Sequence, residues 1–438
     1  MRASKYLAPV LGLIFLRFAD LKRQFAPVAG RPSRRRERGP VRMYDSAAAV
    51  MTRRQGGYGM ATIGLQITHA ERLRSRSPVA LALPWPAAWN GPLAQPVTAL
   101  SYSCYRLRTA DGITGYGPDT GGDPALALGA DAGQVNAFWE LHMGGRRAGN
   151  AGRNVAGLEI ALWDILGKAA NMPIYRLLGG GRDRLPVYAA TSRLLSKEQH
   201  VEHVLALAEV GFRAVKIRLH RPDPQDDLAV VEAVCAAVGD RVQVLTDANQ
   251  NNAAPGYAFW SRATALRVAR RLDELGVYYL EEPLPRPDVE GLAMIAAAVV
   301  MRIAGGEHTP TVYDFREHLA RGAYDVIQPD VILGGNYGIA GLRVAAAWAD
   351  CFGREIIPHV IGGGNSPLAI PATLQAMATA ANCPMVEYPH DPPILVPATL
   401  QAPIRTPLII DDAGCLRLPD LPGLGVEVDD SFFTVDSV

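Results

Sequence analysis

Cysteine is scarce in this chain. Cys104, Cys235, Cys351, Cys383 and Cys415 are five in 438 residues, an odd number without metal-type spacing. That excludes a disulfide scaffold and a cysteine-ligated zinc site, and it leaves reduced thiols in a reducing compartment, so a cytoplasmic location is expected. Long apolar runs are missing too. None reaches the ~18 residues that a membrane-spanning helix needs, and no membrane partner is expected. Glycine-rich phosphate loops are absent as well: the run Gly362–Gly364 has no such context and reads as flexible backbone. Charged residues make up only 20% and apolar ones 49%, which excludes disorder over most of the length.

The net charge of +1 hides an asymmetry. Residues 1–59 carry 13 Lys/Arg against Asp20, Glu37 and Asp45, leaving 31 basic and 40 acidic groups in the rest. An acidic body argues against nucleic acid as a partner and for small molecules or metal ions. Within the basic segment, Tyr6–Leu16 is apolar and follows Arg2 and Lys5, as in a signal peptide. Arg17, Asp20, Lys22 and Arg23 then interrupt it without a small-x-small cleavage site, and RPSRRRERGP follows. The expectation is a flexible basic leader over 1–59, outside the fold; export and a functional basic tail are the alternatives.

The body alternates between two rhythms. Ile63, Leu65 and Ile67 alternate as in a strand, and VTALSYSCYRLRTADGITGYGPDT holds two alternating runs joined by Asp111-Gly112, a hairpin signal. In NVAGLEIALWDILGKAANMPIYRLLGGG, residues Val155, Leu158, Leu162, Ile165 and Leu166 recur at helix spacing, with the glycines after Leu178 as the stop. Beyond Arg184, short apolar runs return roughly every 23–35 residues, most followed by an Ala/Leu-rich helical stretch: LPVYAATS, FRAVKIRL, VQVLTDAN, VYYLEEP, RIAGGE, DVIQPD, EIIPHV and MVEYP. Eight strands with crossover helices describe a parallel barrel. The tail, DDAGCLRLPDLPGLGVEV, returns to short turn-rich strands.

Most of these strands end in titratable or polar residues: Lys216 and Arg218, Asp247 and Asn249, Glu281, Glu307, Asp330, His359 and Glu387. In a barrel the C-terminal strand ends converge on one mouth. A single acid there is commonly a helix cap. Three consecutive strands ending in Asp247, Glu281 and Glu307 would repel one another unless a hard divalent cation sat among them, and all-oxygen ligation suits Mg²⁺ or Mn²⁺.

In order, ALWDILGKA, VKIR, TDANQ, LEEP, GGE, IQPD and the PH strand resemble the enolase superfamily, and within it the mandelate racemase-like subgroup, over roughly residues 60–430. The resemblance implies an α/β fold, a modified (β/α)7β barrel with an α+β capping domain built from both chain ends. It divides the chain into a capping segment 60–184, a barrel 185–395 and a C-terminal segment 396–438 that packs on the cap. It implies abstraction of a proton α to a carboxylate, with the resulting enediolate stabilised by Mg²⁺. By the same resemblance Asp247, Glu281 (rather than Glu282) and Glu307 are the metal ligands, and His359 with Asp330 form a base dyad. Lys216 contacts the substrate carboxylate, Glu387 hydrogen-bonds it as charge develops, and Asn249 touches a substrate hydroxyl.

One position departs from that pattern. Where the family commonly carries Lys-x-Lys, with the second lysine as a base, this chain has Lys216-Ile217-Arg218. A guanidinium stays protonated in almost any site, so Arg218 weakens a racemase reading, and one base at His359 suffices for eliminating water. The leading expectation is therefore a Mg²⁺-dependent dehydratase of an acid sugar, with a racemase or epimerase and a catalytically silent metal-binding protein as alternatives. The partner is a small carboxylate, and a homo-oligomer, dimer to octamer, is expected. Asp164 is read as a structural buried acid, His308 as lying behind the site or on the surface, and Trp85 and Trp89 as lid or core.

Overall fold

The computed structural model describes residues 64–90, 93–144, 154–251, 259–334 and 337–436. All of them lie in the compact unit Thr62–Val438. The leader expected over 1–59 falls outside the described residues.

The first layer is an antiparallel sheet. β1 (Ile67–Ser75) lies between β4 (Ser103–Thr109) and β15 (Phe433–Val435), and β5 (Thr114–Pro118) completes the order β15-β1-β4-β5. The tail thus adds a strand to the N-terminal sheet, with Leu73 opposite Val435. β4 and β5 form the expected hairpin, Arg108 pairing Thr114, with Gly112 turning at φ +84°. The preceding run does not continue that hairpin. β3 (Val97–Leu100) pairs instead with β2 (Val79–Trp85) in a separate two-stranded ribbon.

The helix Ala156–Ala169 crosses this sheet at close range. A Cβ on Gly117 would sit 1.9 Å from the Gly157 carbonyl oxygen, and one on Gly157 would sit 1.8 Å from the Pro118 oxygen, so only glycine fits at the crossing. Two buried acids on this helix tie separate parts together. Asp164 accepts from Tyr116 N on β5 (2.9 Å), from Leu424 N in the tail (2.9 Å) and from Lys168 Nζ (2.6 Å), a structural role. Glu159 reaches the barrel: it accepts from the backbone N–H of Ile339 (2.9 Å) and Ala340 (3.0 Å), capping the helix Gly338–Cys351, and from Trp163 Nε1 (2.7 Å). The helical pattern is not continuous to the glycines after Leu178. Asn171 reverses the chain at φ +52°, and Pro173 opens a second short helix, Ile174–Leu177.

The barrel strands are β6 (Arg184–Ala190), β7 (Ala214–Arg218), β8 (Gln243–Asp247), β9 (Tyr279–Glu281), β10 (Arg302–Gly305), β11 (Val326–Ile327), β12 (Glu355–Ile356) and β13 (Val386–Pro389). Their ladder is parallel and runs β12-β11-β10-β9-β8-β7-β6-β13, with a helix following each of the first seven strands. This is the (β/α)7β arrangement. β14 (Cys415–Arg417) adds antiparallel to β6. Alternation along the strands sets the two faces. Tyr188, Ala190, Ala214, Leu245, Tyr279 and Ala304 pack inside the barrel, while Val215, Ile217 and Val244 join the outer core under the helices. Among the described residues no helix is long and apolar enough to cross a membrane.

Candidate active site

The carboxyl ends of the strands open into a cavity of about 580 Å³. Arg218, Asn249, Glu307, His308, His359 and Glu387 line it from the barrel, and Trp85 at the end of β2 lines it with Trp89 and Asn90 from the segment that follows. The two tryptophans, readable from sequence as lid or as core, belong to the cavity wall, with their rings edge to face at 5.6 Å. The lid is tied down at Ser192. Trp85 Nε1 donates to Ser192 Oγ (2.9 Å), Ser192 Oγ donates to Asp391 (2.6 Å), and Ala88 N donates to the Ser192 carbonyl (2.9 Å).

Register explains which expected residues reach the cavity. Lys216 and Arg218 both point inward on β7, two residues apart, so Arg218 sits one layer nearer the mouth. Lys216 is fully buried, with Nζ 2.9 Å from Glu281 Oε2, 3.0 Å from Glu387 Oε1 and 3.7 Å from Asp247 Oδ2. It is not part of the cavity wall, so in this structure the expected contact with a substrate carboxylate is not available to it. Burial favours its neutral form, but the adjacent Glu281 and Glu387 outweigh burial and hold it charged, above the usual lysine range.

Arg218 is held on several sides. Nε donates to the Thr191 carbonyl (3.0 Å), Nη1 donates to Asp247 and to Asn249 Oδ1 (3.0 Å), and the guanidinium lies 4.8 Å from the Trp89 ring centroid. Its burial is outweighed by Asp247 and Glu387, so it remains a cation.

The carboxylates outnumber these permanent cations. Asp247, Glu281, Glu282, Glu307, Asp330 and Glu387 are all buried around the barrel mouth. Burial first, then Glu281, pushes Asp247 up to about 7; burial and then Glu307 push Glu282 well above the carboxylate range. Among the described residues no three His, Cys, Asp or Glu side chains already converge into a cation cage. Asp247 and Glu281 instead lean on Arg218 and Lys216, and Glu307 leans on two imidazoles. Glu281 Oε1 and both oxygens of Glu282 are buried with no hydrogen-bond partner. Orphaned carboxyl oxygens in a cluster where acids outnumber bases fit a hard divalent cation in donor type. Glu282, at φ +45°, therefore stands as close to that role as Glu281 does in terms of unmet oxygens.

His359 and Asp330 meet as the sequence leads one to expect. His359 Nδ1 lies 2.7 Å from Asp330 Oδ2, and the same oxygen accepts from Ile361 N (3.0 Å). Asp330 Oδ1 accepts from Ile332 N (2.7 Å) and Leu333 N (3.0 Å). The four bonds fix the carboxylate, which fixes the ring with Nε2 on the cavity side, 3.2 Å from Glu307 Oε2. Burial lowers His359, but Glu307, Glu387 and Asp330 together raise it to about 10. Burial raises Glu307, yet His359 and His308 overturn that and leave it below the ordinary range. His308 is the residue the sequence reading undervalued: Nε2 lies 3.0 Å from Glu307 Oε1, and it lines the cavity. Its adjacency to Glu307 was the available signal. Glu387 donates nothing here: Lys216 and then His359 overcome its burial and keep it ionised, and its Oε2 accepts from Val360 N (3.2 Å).

An eight-stranded parallel barrel with a cap built from both chain ends, whose mouth gathers acids, a His–Asp pair and an arginine, defines a class of proteins. The chain belongs to the mandelate racemase/muconate lactonizing enzyme family of the enolase superfamily. Residues 94–179 match the Mandelate racemase / muconate lactonizing enzyme N-terminal domain, and residues 199–432 match the Enolase C-terminal domain-like family. It is 31% identical over 350 residues to arabinonate dehydratase of Saccharolobus solfataricus, covering 75% of this chain and 88% of that one. It is 31% identical over 347 residues to 3,6-anhydro-alpha-L-galactonate cycloisomerase of Streptomyces coelicolor, covering 74% of this chain and 88% of the relative. Among solved structures, a racemase from Streptomyces coelicolor with bound magnesium superposes with TM-score 0.67 at 28% identity, covering 83% of this chain and 98% of that chain.

Proposed function

We propose that this protein is a Mg²⁺-dependent hydro-lyase of an acid sugar, taking the proton α to the carboxylate and eliminating water to give a 2-keto-3-deoxy acid. The observation that carries it is the one-sided site. His359 is the imidazole on the cavity wall that a carboxylate, Asp330, holds in place, and the β7 position that would serve the other face holds Arg218, which cannot surrender its proton. Lys216, the other amine, is sealed behind Glu281 and Glu387. Inversion needs an acid and a base on opposite faces; elimination does not.

Asp247, Glu281 and Glu307 are the proposed cation ligands, with Glu282 beside them. A divalent cation bound there would stabilise the negative charge that develops on the substrate carboxylate. Glu307 is the largest upward influence on His359, and were its charge shared with such a cation that influence would weaken and leave Nε2 freer to act as a base. Asp330 holds the proton on Nδ1 while Nε2 takes the α-proton. The same imidazolium then hands that proton to the departing hydroxyl, which leaves as water. Arg218 and Asn249 hold substrate oxygens, and Glu387 accepts from a hydroxyl. The dehydratase among the relatives supports this chemistry; the cycloisomerase relative makes product analysis essential.

The test is a screen of aldonic and aldaric acids with Mg²⁺ for 2-keto product, run in parallel in D₂O. A silent protein gives neither product nor α-deuterium. A racemase or an isomerase gives exchange without loss of water, and either result overturns the proposal.

A further inference from the structure

Asn249 is a residue whose use depends on which way its amide faces, and two neighbours decide that. Its Oδ1 lies 3.0 Å from Arg218 Nη1 and 2.7 Å from His220 Nε2. A guanidinium has donors only, so the amide atom facing it is the oxygen. With the oxygen so placed, the ring nitrogen of His220 at 2.7 Å must carry a proton. The other end of the amide then has a defined task. Asn249 lines the cavity, and its Nδ2 finds no acceptor among the described residues. Arg218 Nη2, on the same wall, has no acceptor among them either.

We infer that His220, itself outside the cavity, is a positioning residue that locks Asn249 with its NH₂ toward the substrate, so that Asn249 and Arg218 form a paired donor edge selecting a hydroxylated acid. The inference builds on the acid-sugar reading above. His220 is buried at 7% exposure, and burial, helped by the Arg218 charge, outweighs the upward pull of the Asn249 contact and draws its pKa down to about 4, so the ring works as a neutral donor. The backbone adds its own constraint, since Asn249 N donates to Asp247 Oδ1 (2.8 Å) in a left-handed turn at φ +42°. The side chain's remaining freedom is the amide flip, and the two donors remove it. A site built to donate to a hydroxyl discriminates against the analogue lacking it, because the donor is then stranded.

Two measurements test this. The first needs no substrate: ¹⁵N NMR of the His220 ring, assigned with His220→Gln, should show a proton on Nε2, and a bare Nε2 overturns the inference. The second uses an acid sugar found in the screen and its deoxy analogues. His220→Leu should lose roughly ten-fold in discrimination, the equivalent of one ordinary hydrogen bond. The loss should appear in KM with kcat little changed and should approach that of Asn249→Ala. His220→Gln, which keeps a donor, should restore discrimination. If His220→Leu is folded and discriminates like wild type while Asn249→Ala does not, His220 plays no positioning part. If wild type turns over no acid sugar, the functional proposal falls, and the ring spectrum still decides the tautomer.

Discussion

Asp330→Asn should disable the base while leaving the barrel folded, and the structure says how. The asparagine must put its NH₂ on one of two sides. Facing Ile332 and Leu333, it takes the acceptor from two backbone donors, the buried Ile332 N (2.7 Å) and the partly buried Leu333 N (3.0 Å). Facing His359 and Ile361, it withdraws an acceptor from Ile361 N alone, because His359 can accept through Nδ1 by moving its proton to Nε2. A fully buried unmet donor costs ~1–3 kcal/mol, and only the first arrangement leaves one, at Ile332 N, so the second is favoured. The variant therefore loses at most ~1–3 kcal/mol of stability and adopts the tautomer in which the cavity-facing nitrogen is occupied. Wrong-tautomer histidines in comparable dyads lower turnover by roughly ten-thousand-fold. The assay is α-deuterium incorporation in D₂O with a confirmed substrate, alongside urea denaturation. A variant that shows the stability loss yet exchanges at the wild-type rate would refute the reasoning, because the proton would then be leaving by another base.

Three further outcomes are expected. Glu281→Gln should weaken Mn²⁺ or Mg²⁺ binding by at least roughly ten-fold in calorimetric titration with the fold intact, because it replaces an orphaned anionic oxygen with a neutral amide; unchanged affinity removes Glu281 from the ligand set. Burial raises Glu159 from 4.5 to about 7, so the folded state keeps a proton that the unfolded chain releases, and stability should fall by about 3 kcal/mol as pH rises from 4.5 to 7. Glu159→Gln should flatten that slope in a pH series of urea melts, and an unchanged slope would place the titration elsewhere. Trp85→Phe keeps the ring wall but loses the bond to Ser192 Oγ, so it should cost ~1 kcal/mol and raise KM more than it lowers kcat; equal loss in both would mean that the lid contributes to chemistry rather than closure.

The parts of this site legible in the sequence were those carried by strand ends. TDAN, LEEP and GGE announce acids at the close of three successive apolar runs, and parallel topology alone then brings Asp247, Glu281 and Glu307 to one mouth. The His359–Asp330 pair followed for the same reason. Depth did not follow, since Lys216 and Arg218 share a face in the strand pattern, and only the packed barrel shows that one is sealed and the other open. His220 was invisible because a lone histidine after a strand has no pattern of its own. The break at Asn171 was missed because Met172, Ile174 and Leu177 continue the helical apolar spacing across it, so local backbone chemistry at Asn171 and Pro173 overrode periodicity.

The anchoring of Arg218 has an evolutionary consequence. A change to lysine at this position looks like the shortest mutational path from one-faced to two-faced chemistry. Yet the arginine simultaneously serves the Thr191 carbonyl, Asp247, Asn249 Oδ1 and the face of Trp89, and a single ammonium on a thinner stem cannot reach all four. The replacement would free the Asn249 amide, loosen the lid ring and strip Asp247 of its nearest countercharge before the new amine could act as a base. Descendants of this chain that acquired a second base would have to rebuild the lid and β8 first, so the neighbours of residue 218 hold the chemistry in place as firmly as the residue itself.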